Sequence, residues 1–178
     1  LDGKILSTGH VTIDGEGAQW INSGLLAVGW HGYGTLNISG GGTVGNTEGY
    51  ISRDSSSISA ASVHGPGSRW INSHFLTVGE LGQGTLTLSN SGQATAPMFR
   101  MGYEASGSGS LIIGADADDT ALAPGILNAD HIETGEGEGR IVLNHTDISG
   151  NYALLPQIRG KTRLEHYAGT TRLTGDNS

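Results

Sequence analysis

The sequence predicts an all-β protein, a parallel β-helix in which short strands stack coil on coil. The first observation behind this class is composition, because the 178 residues include 31 Gly and only 4 Pro, far above the ~7 per cent Gly of an average protein. The second is an internal duplication at an offset of 50 residues. The third is a set of short segments that alternate hydrophobic and small polar residues, without any longer window of helical periodicity.

The duplication relates residues 15–44 to residues 65–94. Of the 30 aligned pairs 15 are identical, and the alignment needs no gap. Both copies carry Gly-x-Gly-x-x-Trp-Ile-Asn-Ser at their start and Gly-x-Gly-Thr-Leu further on. Self-similarity at a fixed offset is typical of repeat architectures, so the chain is predicted to be a solenoid.

A shorter period lies inside the duplication. Hydrophobic strand centres occur at Val28, Ile51, Val78 and Met101, at spacings of 23, 27 and 23 residues, so each 50-residue unit is predicted to hold two coils. A coil of about 25 residues accommodates three short strands with three turns, and the whole chain then forms about seven coils stacked about 4.8 Å apart. A β-sandwich is the alternative fold, and it leaves the coil-length register unexplained.

Two segments are expected along the chain. Residues 1–125 hold the β-helix repeats, with two coils in each 50-residue unit, and residues 126–178 form the C-terminal coils. Residues 114–125 exceed the repeat and carry three Asp. They are predicted to form an inserted loop rather than a calcium site, because the spacing of known calcium loops is absent.

Charge and motif content exclude several classes of function. The formal net charge of −8 disfavours a nucleic-acid partner, because phosphate binding needs a basic face. The chain has no Cys, which excludes disulfides and thiol nucleophiles. No metal-ligating motif or nucleophile elbow is found. We therefore expect no catalytic, cofactor-binding or metal-ligating residue, no cofactor and no enzyme activity.

Four residues recur at the same positions of the two copies. Trp20 corresponds to Trp70, and Asn22 corresponds to Asn72. An aromatic ladder that binds sugars is one interpretation, and packing of each indole against its coil is the other. Packing is favoured, because residues that recur in a solenoid usually belong to the scaffold.

Positions that differ between the copies are candidates for a contact surface. Trp30, His31 and Tyr33 of the first copy stand where the second copy has Glu, Leu and Gln. A scaffold role would be repeated, whereas an exposed patch of Trp and Tyr suits an interface. Trp30, His31 and Tyr33 are therefore the candidate contact surface, although packing beneath a loop or cap is the interpretation that the sequence favours.

The combined repeat pattern resembles the passenger repeats of classical type V autotransporters, the self-exported proteins of Gram-negative bacteria. Residues 139–147 and 169–177 resemble the passenger segment that precedes the translocating barrel, the autochaperone junction. The resemblance covers roughly residues 9–178 and implies a right-handed, single-stranded β-helix on the outer face of the outer membrane, or secreted. Ser52 stands where this pattern has Gly, so its coil is expected to be degenerate.

The resemblance also implies a function. Such passengers are non-enzymatic virulence modules: adhesins, self-association surfaces or host-receptor ligands. The implied partners are a host cell-surface receptor or glycan, a second passenger, and the cognate outer-membrane β-barrel outside this chain. The C-terminal coils would aid folding during secretion. A stalk beneath an upstream effector or protease domain, or a polysaccharide-degrading β-helix enzyme, is the alternative.

Overall fold

The computed structural model describes residues 7–175, and every regular element in that range is a β-strand. All paired strands run parallel. The described residues form no helix long and apolar enough to cross a membrane. Sheet 1 contains β1 (Thr8–Asp14), β4 (Tyr33–Ser39), β6 (Ile58–His64), β8 (Gln83–Ser89), β11 (Ser108–Gly114), β14 (Glu138–Asn144) and β17 (Thr162–Ala168).

The remaining strands form a second sheet and a small pair. Sheet 2 contains β2 (Gln19–Ile21), β3 (Leu25–Val28), β5 (Thr43–Ile51), β7 (Arg69–Val78), β9 (Gln93–Thr95), β10 (Met98–Met101), β12 (Ile126–Asn128), β13 (His131–Thr134) and β16 (Gln157–Arg159). The pair consists of β15 (Ala153–Leu154) and β18 (Arg172–Leu173).

Sheet 1 displays the coil repeat directly. Its seven strands lie side by side in chain order, which corresponds to about six turns of a parallel β-solenoid. β4, β6, β8 and β11 begin at residues 33, 58, 83 and 108, an interval of 25 residues each time. The predicted all-β parallel solenoid is thereby confirmed, with a turn count close to the predicted seven.

Alternation along the strands of sheet 1 builds the core. In five successive strands, β4 to β14, the inward side chains lie directly above one another and are buried. One column contains Leu36, Ala61, Leu86, Leu111 and Ile141, and the next contains Ile38, Val63, Leu88, Ile113 and Leu143. Each buried Leu, Ile or Val stabilises the fold by roughly 1.5–3 kcal/mol, so the stacked columns bind coil to coil.

The inserted segment is a loop fastened to sheet 1. The interval from the start of β11 at residue 108 to the start of β14 at residue 138 is 30 residues, 5 longer than in the preceding coils. Asn144 Nδ2 donates hydrogen bonds to the carbonyl oxygens of Asp116 and Asp119, at 2.7 and 2.9 Å. The two sheets continue across the insertion, because β11 pairs with β14 and β9 pairs with β12.

A chain of hydrogen bonds runs through the interior beneath sheet 2. Trp70 is fully buried, and its Nε1 donates to Asn46 Oδ1 at 2.8 Å. Asn46 Nδ2 donates in turn to Asn72 Oδ1 at 2.7 Å. Asn72 Nδ2 reaches the carbonyl oxygen of Thr95 at 3.4 Å. The amide groups thus link three successive coils, and Asn46 comes from the coil between the two duplicated copies.

The equivalent residues of the first copy are more exposed. Trp20 is partly buried and packs against the core. Asn22 Nδ2 donates to the carbonyl oxygen of Leu25 at 2.7 Å, and Asn22 Oδ1 accepts from Gly24 N at 3.4 Å. Asn22 and Asn72 occupy the same repeat position but have different roles. Asn22 stabilises a local turn, whereas Asn72 links neighbouring coils.

This difference predicts unequal costs of substitution. Asn72→Ala is expected to lower the free energy of unfolding by about 2 kcal/mol, because it leaves the buried amide of Asn46 without its acceptor. Asn22→Ala is the matched control, and we expect a loss below about 1 kcal/mol because solvent reaches this site. Urea denaturation followed by circular dichroism measures both values. Equal losses in the two variants would contradict the proposed network.

His145 is the one fully buried imidazole among the described residues. It follows β14, and its Nε2 shares a hydrogen bond of 2.6 Å with Thr171 Oγ1. Its Nδ1 is buried without a hydrogen-bond partner in residues 7–175, and the ring of Tyr152 lies 4.7 Å away between centroids. Burial lowers the pKa of His145, and the charge of His166 adds to this effect while Asp147 opposes it.

The lowered pKa predicts a loss of stability in mild acid. The unfolded chain binds a proton at His145 below about pH 6.5, whereas the folded chain resists it. The contribution is therefore complete above about pH 6.5 and declines as the pH falls toward the folded-state pKa. We expect the urea midpoint to fall between about pH 8 and about pH 5.5. His145→Gln should be less stable at the higher pH and should show a shallower fall. A variant with the full wild-type slope would exclude His145 as the cause.

Candidate contact surface

The turns that follow four strands of sheet 2 stack on one another. We call residues 29–31, 52–54, 79–81 and 102–104 the turn column. Backbone hydrogen bonds hold its coils in register: Arg53 N donates to Gly29 O at 3.2 Å, Glu80 N to Ser52 O at 3.0 Å, and Tyr103 N to Gly79 O at 3.2 Å. One line of side chains along the axis is therefore Trp30, Arg53, Glu80 and Tyr103.

A left-handed backbone begins each of these turns. Gly29, Gly79 and Gly102 have φ of 72°, 69° and 50°, a conformation that glycine adopts without strain. At Gly79 a Cβ would lie 2.0 Å from Ser108 O, so no larger residue fits. Ser52 adopts φ of 61° and donates through Oγ to Gln83 O at 2.5 Å. The turn with Ser52 therefore stays in register, and the expectation of a degenerate coil there is wrong.

Trp30 is held by an arginine of the next coil. Its side chain is 46 % exposed, and the guanidinium carbon of Arg53 lies 4.1 Å from the centroid of its ring. The same guanidinium lies 4.5 Å from the ring centroid of Tyr50. Contacts of this kind are worth roughly 0.5–2 kcal/mol each. Arg53 thus fixes the indole while leaving about half of it open to solvent.

Glu80 holds Arg53 from the opposite side. Arg53 Nε lies 3.2 Å from Glu80 Oε2, and both Arg53 Nη1 and Glu80 Oε2 are buried. Burial raises the pKa of Glu80, and the charge of Arg53 opposes this rise. The opposite charges of Arg53 and Glu80 therefore hold the pair together, and the facing polar atoms are shielded from solvent.

His31 and Asp54 form the second line of the turn column. Their Nδ1 and Oδ1 atoms lie 3.3 Å apart. Asp54 Oδ1 also accepts hydrogen bonds from the Ser56 hydroxyl at 2.7 Å and the Ser56 N–H at 3.0 Å. These bonds hold the pKa of Asp54 well below its usual range, with a smaller contribution from His31. The Asp54 carboxylate therefore keeps its negative charge at neutral pH.

Tyr33 belongs to the other sheet. It begins β4, its N–H donates to Ser7 O at 2.9 Å, and its side chain is 44 % exposed. Trp30, His31 and Tyr33 all line a cavity of about 290 Å³ at the first described coil. The structure thus brings the three predicted contact residues to one cavity, although only Trp30 and His31 lie in the turn column.

A second cavity of about 430 Å³ lies along the turn column. It is lined by Trp30, Arg53, Asp54, Glu80, Leu81 and Glu104. Apart from Trp30, none of these residues was predicted as a site, because the 50-residue alignment compares every second coil. The sequence does carry a signal that would place these side chains in one line. Each of them follows a predicted strand centre by two residues: Trp30, Arg53, Glu80 and Tyr103.

The pairing of arginine with aromatic rings recurs two coils further on. The guanidinium carbon of Arg100 lies 4.8 Å from the ring centroid of Phe75 and 4.7 Å from that of Tyr103. Arg100 Nε is 3.9 Å from Glu133 Oε2. Within residues 7–175 no group of three or more His, Asp or Glu side chains is placed to hold a metal ion.

The clamp on Trp30 can be tested by removing Arg53. Arg53→Ala is expected to lower the free energy of unfolding by about 2 kcal/mol, less than the ~3–5 kcal/mol of a fully buried pair because both side chains keep some exposure. Acrylamide should also quench Trp30 fluorescence more strongly. Arg69→Ala, at the exposed start of β7, is the control and should match the wild type. Equal quenching in both variants would show that Arg53 does not cover the indole.

Comparison with known proteins gives no relative for this chain. No protein-family model, no curated protein and no solved structure matches it. A function for the chain is therefore argued from the solenoid and from the side chains of the turn column.

Proposed function

We propose that the chain is a non-enzymatic binding module, part of the passenger of a bacterial autotransporter that is displayed on the cell surface or secreted. The proposal rests on the parallel solenoid, on the repeat pattern that resembles such passengers, and on the turn column. Within this proposal the module acts in adhesion or self-association, and its C-terminal coils aid folding during secretion. A cognate outer-membrane β-barrel outside this chain would carry it across the membrane.

The observation that carries the proposal is the half-exposed indole of Trp30. In the second copy the same position holds Glu80, so the fold does not require an aromatic residue there. Trp30 is nevertheless clamped by Arg53 and faces solvent beside Tyr33 at a shared cavity. Rigid, partly exposed aromatic residues are enriched in the energetic centres of interfaces. A contact role explains this residue better than a scaffold role.

The solenoid itself favours recognition of an extended partner. Coils stacked about 4.8 Å apart present their turns as a straight row of side chains. Such a row suits a host glycan chain, a cell-surface receptor or a second copy of the passenger. Binding energy in this arrangement comes from side chains that are already ordered, which lowers the entropic cost of association.

Adhesion can be measured with beads coated with the full chain. We expect coated beads to clump or to attach to cultured epithelial cells, and we expect a Trp30→Ser, Tyr33→Ser double variant to lose most of this activity. Ile71→Ser, which removes an exposed apolar side chain from β7, is the control and should bind as the wild type does. Unchanged binding by the double variant, or no clumping and no attachment by the wild type, would refute the proposal.

A further inference from the structure

We infer that the cavity along the turn column is a carbohydrate subsite that takes one uncharged pyranose ring. This inference rests on the proposed function and narrows its ligand to a class. Three features of the cavity lead to it: its size, the sign of its charge and the arrangement of the Trp30 ring beside hydrogen-bonding groups. Each feature excludes a different competitor.

The size of the cavity suits a single sugar ring. Its volume of about 430 Å³ lies near the lower end of the ~300–1,000 Å³ typical of small-molecule sites. It is open to solvent, and its lining comes from the turns after β3, β5 and β7, together with Glu104 after β10. A chain of sugars can therefore place one ring here while its neighbours continue along the surface.

The charge of the lining disfavours an anionic ligand. Three carboxylates, Asp54, Glu80 and Glu104, face one cation, Arg53. Arg53 is already paired with Glu80, and the lowered pKa of Asp54 keeps that group ionised. A carboxylate, sulfate or phosphate entering the cavity would meet an excess of negative charge at short range. Uronic acids and sulfated sugars are thus poor candidates.

A cationic ligand is disfavoured by the position of Arg53. The attraction of an aromatic face for a cation is strongest over the ring, and the guanidinium of Arg53 already lies over Trp30 at 4.1 Å. A ligand cation would find that face taken and would have only the carboxylates of the lining as partners. The indole is therefore available mainly to uncharged groups, which contact the part that Arg53 leaves exposed.

A pyranose ring meets both requirements. Its C–H bonds carry small positive partial charges and pack on the negative face of an aromatic ring. Its hydroxyls donate to carboxylates and accept from guanidinium N–H groups. The lining offers such groups in Asp54, in Glu104 and in the exposed part of Arg53. Trp30 and Glu104 then supply the stacking surface and an exposed acceptor.

The test uses saturation-transfer NMR with the full chain and defined sugars. The neutral probes are methyl α-D-glucopyranoside, methyl α-D-mannopyranoside, methyl β-D-galactopyranoside and N-acetylglucosamine. The charged probes are glucuronate and glucosamine. We expect transfer to the ring C–H protons of at least one neutral probe and weaker transfer to its charged counterparts. The signal should fall about tenfold in Trp30→Ala and severalfold in Glu104→Gln, which keeps the size of an exposed side chain.

Tyr167→Ser is the matched control. Tyr167 is an exposed aromatic residue of β17 that does not line this cavity, so the variant should bind the probe as the wild type does. Transfer to none of the neutral probes, stronger transfer to a charged probe, or a signal that survives both Trp30→Ala and Glu104→Gln would overturn the inference. Bead adhesion without sugar binding would refute the subsite alone. Sugar binding without adhesion would refute the proposed function alone.

Discussion

Stacking of coils in strict register is the constraint on which the rest of this structure depends. Each coil donates backbone hydrogen bonds to the next, so the neighbours of a side chain lie about 25 residues away in the sequence rather than beside it. The same geometry aligns the hydrophobic columns of sheet 1 and the side chains of the turn column. A residue gained or lost within a strand would move the later side chains of that strand to the opposite face, because the side chains of a strand alternate between its two faces.

This constraint explains why the two copies carry different side chains in the turn column. Apolar side chains can repeat along the axis without penalty, whereas like charges about 4.8 Å apart repel each other. One line of the turn column accordingly alternates aromatic, cationic and anionic groups, as Trp30, Arg53 and Glu80 do. The other places Leu81 between the carboxylates of Asp54 and Glu104. Variation at these positions therefore has an electrostatic reason, and it also gives each coil its own chemical character.

The period of the sequence predicts the fold because spacing alone decides which strands lie together. The strand centres at 28, 51, 78 and 101 end strands of sheet 2, and the candidate Trp30 follows the first of them. Arg53 was not predicted as a site residue, because the clearest duplication spans two coils. That alignment pairs Trp30 with Glu80 and never compares either residue with Arg53. Small residues such as Ala60 and Ala61 obscure the alternation of β6 in the sequence. A glycine pattern could not predict the regular turn at Ser52, because the left-handed backbone there is stabilised by a hydrogen bond to Gln83 O in the next coil.

Recognition is better placed at the turns than on the outer face of sheet 1, because that face bonds to itself. His10 and Thr35 share a hydrogen bond of 2.6 Å, and the Ser62 hydroxyl donates to Asn37 Oδ1 at 2.9 Å. A ligand there would have to replace bonds between coils, with little net gain. At the turn column the indole of Trp30 is half open, and Glu104 is exposed in the same cavity. Stacking of the coils thus occupies polar side chains on the outer face of sheet 1, whereas side chains of the turn column stay accessible to solvent. We therefore expect selective binding at the turn column.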